Sequence, residues 1–262
     1  MNIDFIFDVM TENKKKEALI WKDESFSYEL LNQFTNKCLK LLELNQIVKE
    51  MTVAIKGDFS PYSIALMLAL IKKSCIIVPI TNIANKNEEE LLKIAQVHYI
   101  YEVDEDDNIT SKSVSQNPGD NDYYKTIRER GHAGLVLFTS GTSGEPKATV
   151  HDFFAVLQKF KTKRKNLRAL NFLLFDHLGG LNTMFHILSN SGVVIATNIR
   201  SPDNVCKLIN QHKIELLPTS PTFLNLLLLS RSYLDHNLDS LKIISYGTEP
   251  LRESTLKRLK EV

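Results

Sequence analysis

Residues 139–147 read Thr-Ser-Gly-Thr-Ser-Gly-Glu-Pro-Lys and hold the densest chemistry in the chain. Gly141 and Gly144 let the backbone turn without a Cβ and bring its N–H groups close to a ligand. Thr139, Ser140, Thr142 and Ser143 add hydroxyls, and Lys147 adds a positive charge just past the loop. Successive N–H groups pointing into one concavity form an anion nest. Its natural guest is a polyphosphate. The spacing is not that of a Walker A loop, which needs Gly-Lys followed by Ser or Thr. Glu145-Pro146 separates the second glycine from Lys147, and proline biases Glu145 away from helix. Ala148-Thr149-Val150 then reads as a short strand, with a helix only from about Asp152. No helix dipole is aimed at the phosphate, so backbone amides, hydroxyls and Lys147 must hold it.

The elements that position this loop alternate in type. Leu135-Val-Leu-Phe138, directly before it, is an apolar run with the look of a buried strand. Upstream, residues 17–30 read as two short strands around a turn at Lys22–Glu24, after which Ser27 caps a helix. Strands are expected at 52–55, 75–79 and 99–103, and helices from Ser60-Pro61 and from the capping box Asn87–Glu90. Residues 104–122 read as an exposed connection. Downstream, strands are expected at 170–175, 193–197, 215–217 and 241–245. Helices are expected at 152–162 and 180–189, and others open at Ser201-Pro202, Ser220-Pro221 and Pro250. The alternation is that of an α/β fold, with largely parallel sheets covered by helices and ligands at strand carboxyl ends.

Composition narrows the class. The chain has 262 residues, 43% hydrophobic and 24% charged, with a formal net charge of +1. That balance offers no general electrostatic case for nucleic acid or a membrane. The basic run Lys159, Lys161, Lys163, Arg164, Lys165, Arg168 reads as a solvated helix end. Cys38, Cys75 and Cys206 are scattered among apolar neighbours, without metal spacing, and fit free buried thiols in a reducing cytoplasm. The acidic start Met1-Asn-Ile-Asp-Phe5 has no signal-peptide pattern, and the apolar run 64–71 is too short to span a bilayer.

Thr139–Lys147 resembles the phosphate loop of the adenylate-forming (AMP-dependent synthetase/ligase) superfamily, and the likeness runs along the chain. Residues 57–80 are similar to that family's early helix–strand motif, with Lys73-Ser-Cys75 at its customary Ala-Gly-Ala turn. Phe172–Phe185 is similar to its acyl-pocket motif, which implies that His177 gates or lines a carboxylate pocket, with Gly179 and Gly180 giving room beside the ligand. Leu217–Leu224 resembles the passage before the adenine site. Leu241–Leu251 resembles the strand whose following backbone packs on adenine, at Gly247, Thr248, Glu249 and Pro250. Tyr246-Gly-Thr-Glu249 also looks like the later Tyr-Gly-x-Thr-Glu motif, but it is one residue short and Pro-Leu follows. The adenine-site assignment is therefore preferred.

The resemblance implies ATP with Mg²⁺, Thr142 touching the metal, and Lys147 with His177 as catalytic residues. It implies a large amino-terminal domain in two parts, 46–168 with the phosphate loop and 1–45 plus 169–262 with the acyl and adenine segments. It further implies a cytoplasmic ligase that activates a carboxylic acid as acyl-adenylate. The acyl group then passes to coenzyme A or a phosphopantetheine, with an acyl carrier protein or a separate C-terminal domain as partner. The mobile, lysine-bearing C-terminal lid of that family has no counterpart in these residues, so the chain is expected to be inactive by itself. The resemblance implies the acyl-CoA synthetase type. A fatty or other apolar acid, hence fatty acid metabolism, is the expectation from Leu178, Leu181, Met184 and Phe185 near His177, which read equally as helix-core residues. The competing expectation is a nucleotide-binding non-enzyme, or one half of a split ligase.

Overall fold

The computed structural model describes residues 3–81, 88–114, 121–140, 146–247 and 249–260. Helix α1 (Asp4–Glu12) precedes a hairpin of β1 (Glu17–Trp21) and β2 (Glu24–Ser27), and the Ser27 hydroxyl accepts the Leu30 N–H at the start of α2 (Tyr28–Leu44). Next come β3 (Thr52–Lys56), α3 (Pro61–Lys72), β4 (Ile76–Ile80), α4 (Glu88–Ile94), β5 (Tyr99–Val103), β6 (Ile109–Ser113) and α5 (Asp122–Glu129). The ribbon β7 (Gly134–Ser140) and β8 (Pro146–Asp152) leads into α6 (Phe153–Gln158), β9 (Arg168–Asn171), α7 (Leu178–Ser189) and β10 (Val193–Ala196). The described chain closes with α8 (Pro202–His212), β11 (Leu216–Thr219), α9 (Pro221–Ser230), β12 (Ile243–Tyr246) and α10 (Glu253–Leu259).

The strands form two six-stranded sheets, ordered β12-β11-β9-β10-β1-β2 and β6-β5-β3-β4-β7-β8. Both are parallel except at β2, β6 and β8, each of which pairs antiparallel with its chain neighbour. The expected α/β class with two largely parallel sheets is the observed one. Parallel strands are covered on both faces, and the core shows how. Leu19, Ala169 and Val194 of the first sheet share one apolar cluster with Val53, Ile55, Ile77 and Leu135 of the second. Residues of α2, α3 and α7 fill the space between them, and α3 is apolar almost all round because it lies in this middle layer. Leu170, Ile195 and Leu217 face α8 on the far side of the first sheet, and Val78, Ile100 and Val136 face α4 and α5 on the far side of the second. The two parallel blocks are thus each sandwiched by helices.

Several expectations change. The connection expected at 104–122 contains β6 and the start of α5, and α1 was not expected at all. The strand expected to run to Phe175 ends at Asn171, because the Phe172 carbonyl accepts from the Arg200 guanidinium instead of a sheet N–H. The following helix starts at Leu178, not Gly180, since the His177 ring already caps it. The last helix starts at Glu253, not at Pro250; Glu249 is tied sideways to α9 by the Thr222 hydroxyl at 2.7 Å, and Arg252 remains extended. Cys38, Cys75 and Cys206 are free and buried, as expected, and burial pushes the first two thiols up to about 12. Among the described residues, no helix is long and apolar enough to cross a membrane.

Candidate functional site

The candidate residues collect along the carboxyl edges of the two sheets, where the parallel strands end and the loops begin. In the second sheet, β4 and β7 run parallel, so Thr81 after β4 and Thr139-Ser140 at the end of β7 lie on the same edge. The register of β7 with β8 sets Thr139 opposite Lys147 and Ser140 opposite Pro146. Directly opposed residues of an antiparallel pair project on one face. Thr139 and Lys147 are both exposed, and Lys147 has no acidic partner among the described residues. A hydroxyl and an uncompensated ammonium therefore flank the loop from one side. Gly141, Thr142, Ser143, Gly144 and Glu145 lie outside the described residues, as does Thr248.

Pro146 keeps the chain extended beyond the loop. Lys147 sits in an extended strand, and the helix beyond begins only after Asp152, whose carboxylate accepts the Phe154 N–H. Two other basic residues of that neighbourhood serve locally. Lys161 lies over the Phe154 ring at 5.3 Å, while Arg168 donates to Glu17 and to the His212 carbonyl, each at 2.6 Å. Burial pushes the Glu17 carboxyl up, but the Ser25 hydroxyl and Arg168 together hold it below the usual carboxylate range.

In the first sheet the segment 172–177 leaves β9 and turns into α7. His177 is the N-cap of that helix: it is exposed, and its Nδ1 accepts the Gly179 N–H at 3.3 Å. A cap bond of this kind leaves Nε2 facing away from the helix end. Gly180 is required by the chain itself, since a Cβ there would sit 2.3 Å from the Leu174 carbonyl oxygen and 3.0 Å from the Phe59 ring. Gly179 is less tight, with Leu173 at 3.1 Å from an added Cβ. Leu181, Met184 and Phe185 are buried in the central core, and Phe185 packs on Phe153 and Phe160. They do not line an open pocket.

The residue beside His177 carries the stronger signal. Asp176 is half-buried, and its Oδ2 accepts both the Thr81 N–H at 3.1 Å and the Thr81 hydroxyl at 2.7 Å. Its Oδ1 makes no hydrogen bond among the described residues. This carboxylate joins the carboxyl edge of one sheet to that of the other, with Phe59 packed edge-on against Phe175 at 5.0 Å beside it. Sequence reasoning passed over Asp176 because the histidine next to it drew attention; the signal was an acid at the close of an apolar run.

The remaining candidates lie at the end of β12. Gly247 and Pro250 are exposed, an added Cβ at Gly247 would meet nothing within 4 Å, and Glu249 is held by Thr222. These residues follow the strand that pairs parallel with β11, on the carboxyl edge it shares with β9. Among the described residues, no group of three or more acidic, His or Cys side chains gathers as a metal centre. A crevice of about 420 Å³ opens away from these residues, where β1, β3 and β10 end, lined by Trp21, Phe59, Thr81, Asp104, Arg200 and Lys207 among others; Asp176, His177, Lys147 and Gly247 do not border it.

Comparison with known proteins bears on the family and the fold. A dimodular nonribosomal peptide synthase of Bacillus subtilis is 23% identical over 94% of this chain, which covers 11% of it. A D-alanine–D-alanyl carrier protein ligase of Staphylococcus haemolyticus is also 23% identical, over 98% of this chain and 56% of its own length. The chain thus spans about half the length of that ligase and a small part of the synthase. Among solved structures, the N-terminal domain of FACL13 from Mycobacterium tuberculosis superposes with a TM-score of 0.80 at 18% identity, covering 99% of this chain and 73% of that one. The Klebsiella oxytoca NpsA N-terminal subdomain in complex with 3-hydroxybenzoyl-AMSN gives 0.76 at 16% identity, covering 97% and 67%. The family described as AMP-binding enzyme matches residues 81–262, more than half of the sequence, and the chain belongs to that family.

Proposed function

We propose that this chain carries the nucleotide- and acid-binding part of an AMP-forming ligase that activates a small amino acid. In the reaction, an acid carboxylate oxygen attacks the α-phosphorus of ATP; the bond to the bridging oxygen breaks, giving acyl-adenylate and pyrophosphate. A thiol then displaces AMP to form a thioester. The chemistry needs polyphosphate charge neutralised and the carboxylate held in line, which is positioning plus electrostatics. Lys147, Thr139 and Ser140, with the loop residues Gly141, Thr142, Ser143 and Gly144, are proposed to hold the phosphates. The Lys147 ammonium, without an acidic partner among the described residues, lies beside an exposed hydroxyl, a donor set that fits them. Mg²⁺ bound with the nucleotide would neutralise phosphate charge, with Thr142 its proposed protein contact; magnesium sites commonly use few protein ligands. Gly247, Thr248, Glu249 and Pro250 are proposed to pack on adenine, and His177 with Gly179 and Gly180 to border the acid.

The single observation that carries the amino-acid reading is Asp176. A half-buried carboxylate with one oxygen unengaged among the described residues is a costly thing to place against an apolar acyl chain, and a good partner for an ammonium group. The relatives point the same way, one being a D-alanine ligase and the other a peptide synthase. Of the residues behind the fatty-acid expectation, Leu181, Met184 and Phe185 belong to the core and only Leu178 is half-buried. A carrier-bound phosphopantetheine is the favoured thiol acceptor over coenzyme A, again after the named carrier protein ligase. We assign the two parts 46–168 and 1–45 plus 169–262 to the two sheets. Cytoplasmic placement fits the three free thiols.

The test is ATP–pyrophosphate exchange across a panel of amino, fatty and aryl acids, with the 262 residues joined to the remainder of a family member's length. Exchange with amino acids that falls away in Asp176→Asn supports the proposal. Exchange only with fatty or aryl acids, insensitive to that substitution, rejects it. The reading as a nucleotide-binding non-enzyme predicts ATP binding without exchange for any acid.

A further inference from the structure

Between the two carboxyl edges, Arg200 makes contacts that the proposed reaction does not explain. It leaves the loop after β10 and is largely covered, with its side chain 20% exposed. Its Nη2 donates to Asp58 Oδ2 at 2.6 Å, its Nε to the Phe172 carbonyl at 2.5 Å, and its Nη1 to the Asn198 carbonyl at 3.2 Å. The planar fork of arginine is suited to serving an acid and a carbonyl at once, which a lysine ammonium does less well. Asp58 belongs to the opposite sheet, in the loop after β3. Its Oδ1 accepts the Phe59 N–H at 2.8 Å, and Phe59 is the ring that packs edge-on against Phe175 and closes the space above Gly180.

We propose that Arg200 is a positioning residue: by holding the Phe172 carbonyl and Asp58 together, it fixes the 172–181 segment, and so Asp176 and His177, against the second sheet. The inference deepens the acid-binding reading above and rests on it for its functional meaning. The physical case is independent. Segment 172–177 has left the sheet, so its start is tied by Arg200 and its end by Thr81, with Phe59 between them. Removing one tie leaves a loop held at one end. Arg200 is four residues past the end of β10 and touches none of the groups assigned to phosphate or adenine. The loss should therefore fall on the acid and not on the nucleotide.

Three amides report on the segment: His177 N to the Leu174 carbonyl, Gly179 N to His177 Nδ1, and Leu181 N to the His177 carbonyl. In the full chain, Arg200→Gln should speed hydrogen exchange at these amides about tenfold and move the His177 ring resonances. Amides of β7 and β8 and the affinity for ATP should stay within about twofold. Arg200→Lys should fall between, keeping the charge near Asp58 but losing the fork. Unchanged exchange at the three amides in Arg200→Gln would overturn the proposal. So would equal acceleration throughout both sheets, the signature of plain destabilisation. These readouts need no turnover, so they judge Arg200 even if the exchange assay with amino acids fails. Where an amino acid does bind, Arg200→Gln should weaken it several-fold more than it weakens ATP.

Discussion

At the scale of single residues, the account turns on which side chains meet which ligand. Asp176→Asn keeps the acceptor for Thr81 but removes the charge, so it should raise the half-saturating concentration of an amino acid about tenfold or more, leaving ATP nearly untouched. His177→Ala should likewise act on the acid; a collapse of ATP affinity would make it a nucleotide or purely structural residue. Both are read from exchange kinetics in a chain of family length. Asp107 supplies a separate prediction. Burial pushes its carboxyl up to about 6, although both oxygens accept the Tyr62 N–H at 3.1 Å. A carboxyl raised above its unfolded value costs stability when ionised, so stability should rise as pH falls from about 7 towards 4. Asp107→Asn should raise the melting temperature at pH 7.5 and flatten this part of the profile. A steeper loss of stability in the variant between pH 7 and 5 would contradict it.

At the scale of elements, much was legible because caps and apolar runs are local. Ser27, Ser60, Ser201 and Ser220 each cap the helix the sequence predicts, by accepting an N–H three places on. The strand–loop–strand around the phosphate loop was legible for the same reason, with Pro146 forcing extension. What was not legible depended on distant partners. β6 is Ile-Thr-Ser-Lys-Ser, mostly exposed, and is a strand only because β5 offers it an edge. β9 stops at Asn171 because Arg200, nearly thirty residues on, claims the next carbonyl. Helices α1 and α5 had readable faces, Ile6-Val9-Met10 and Tyr124-Ile127, but α1 is short and carries further apolar residues, Phe5 and Phe7, off that face, and α5 is otherwise polar. The tightest element-level constraint is Gly180. Gly180→Ala should cost about 1–3 kcal/mol through overpacking against the Leu174 carbonyl, seen in urea denaturation. A loss within error would mean that the 172–177 segment yields more easily than its contacts imply.

At the scale of the whole molecule, the two sheets are not equally covered. Central strands such as β4 and β10 are buried along their length, whereas β12, in a parallel sheet, is mostly exposed. Ile243 is 45% and Tyr246 47% exposed, and Leu229 on the neighbouring α9 reaches 75%. Parallel sheets are ordinarily covered on both faces, and an open edge invites pairing. The 262 residues alone should therefore show concentration-dependent self-association by sedimentation, reduced by Ile243→Lys with Tyr246→Lys. A strictly monomeric wild type at high concentration would remove the edge as an association surface.

The proposed function rests on the phosphate assignment, and Lys147 tests it most directly. Calorimetric titration of the chain with ATP, wild type against Lys147→Ala, isolates that one ammonium on an exposed strand where no folding role competes. Loss of a charge-assisted contact to phosphate should weaken binding about tenfold or more, with the melting temperature unchanged in the absence of nucleotide. Equal affinity in the two proteins would contradict the phosphate role of Lys147 and, with it, the placing of the nucleotide at the β7–β8 loop.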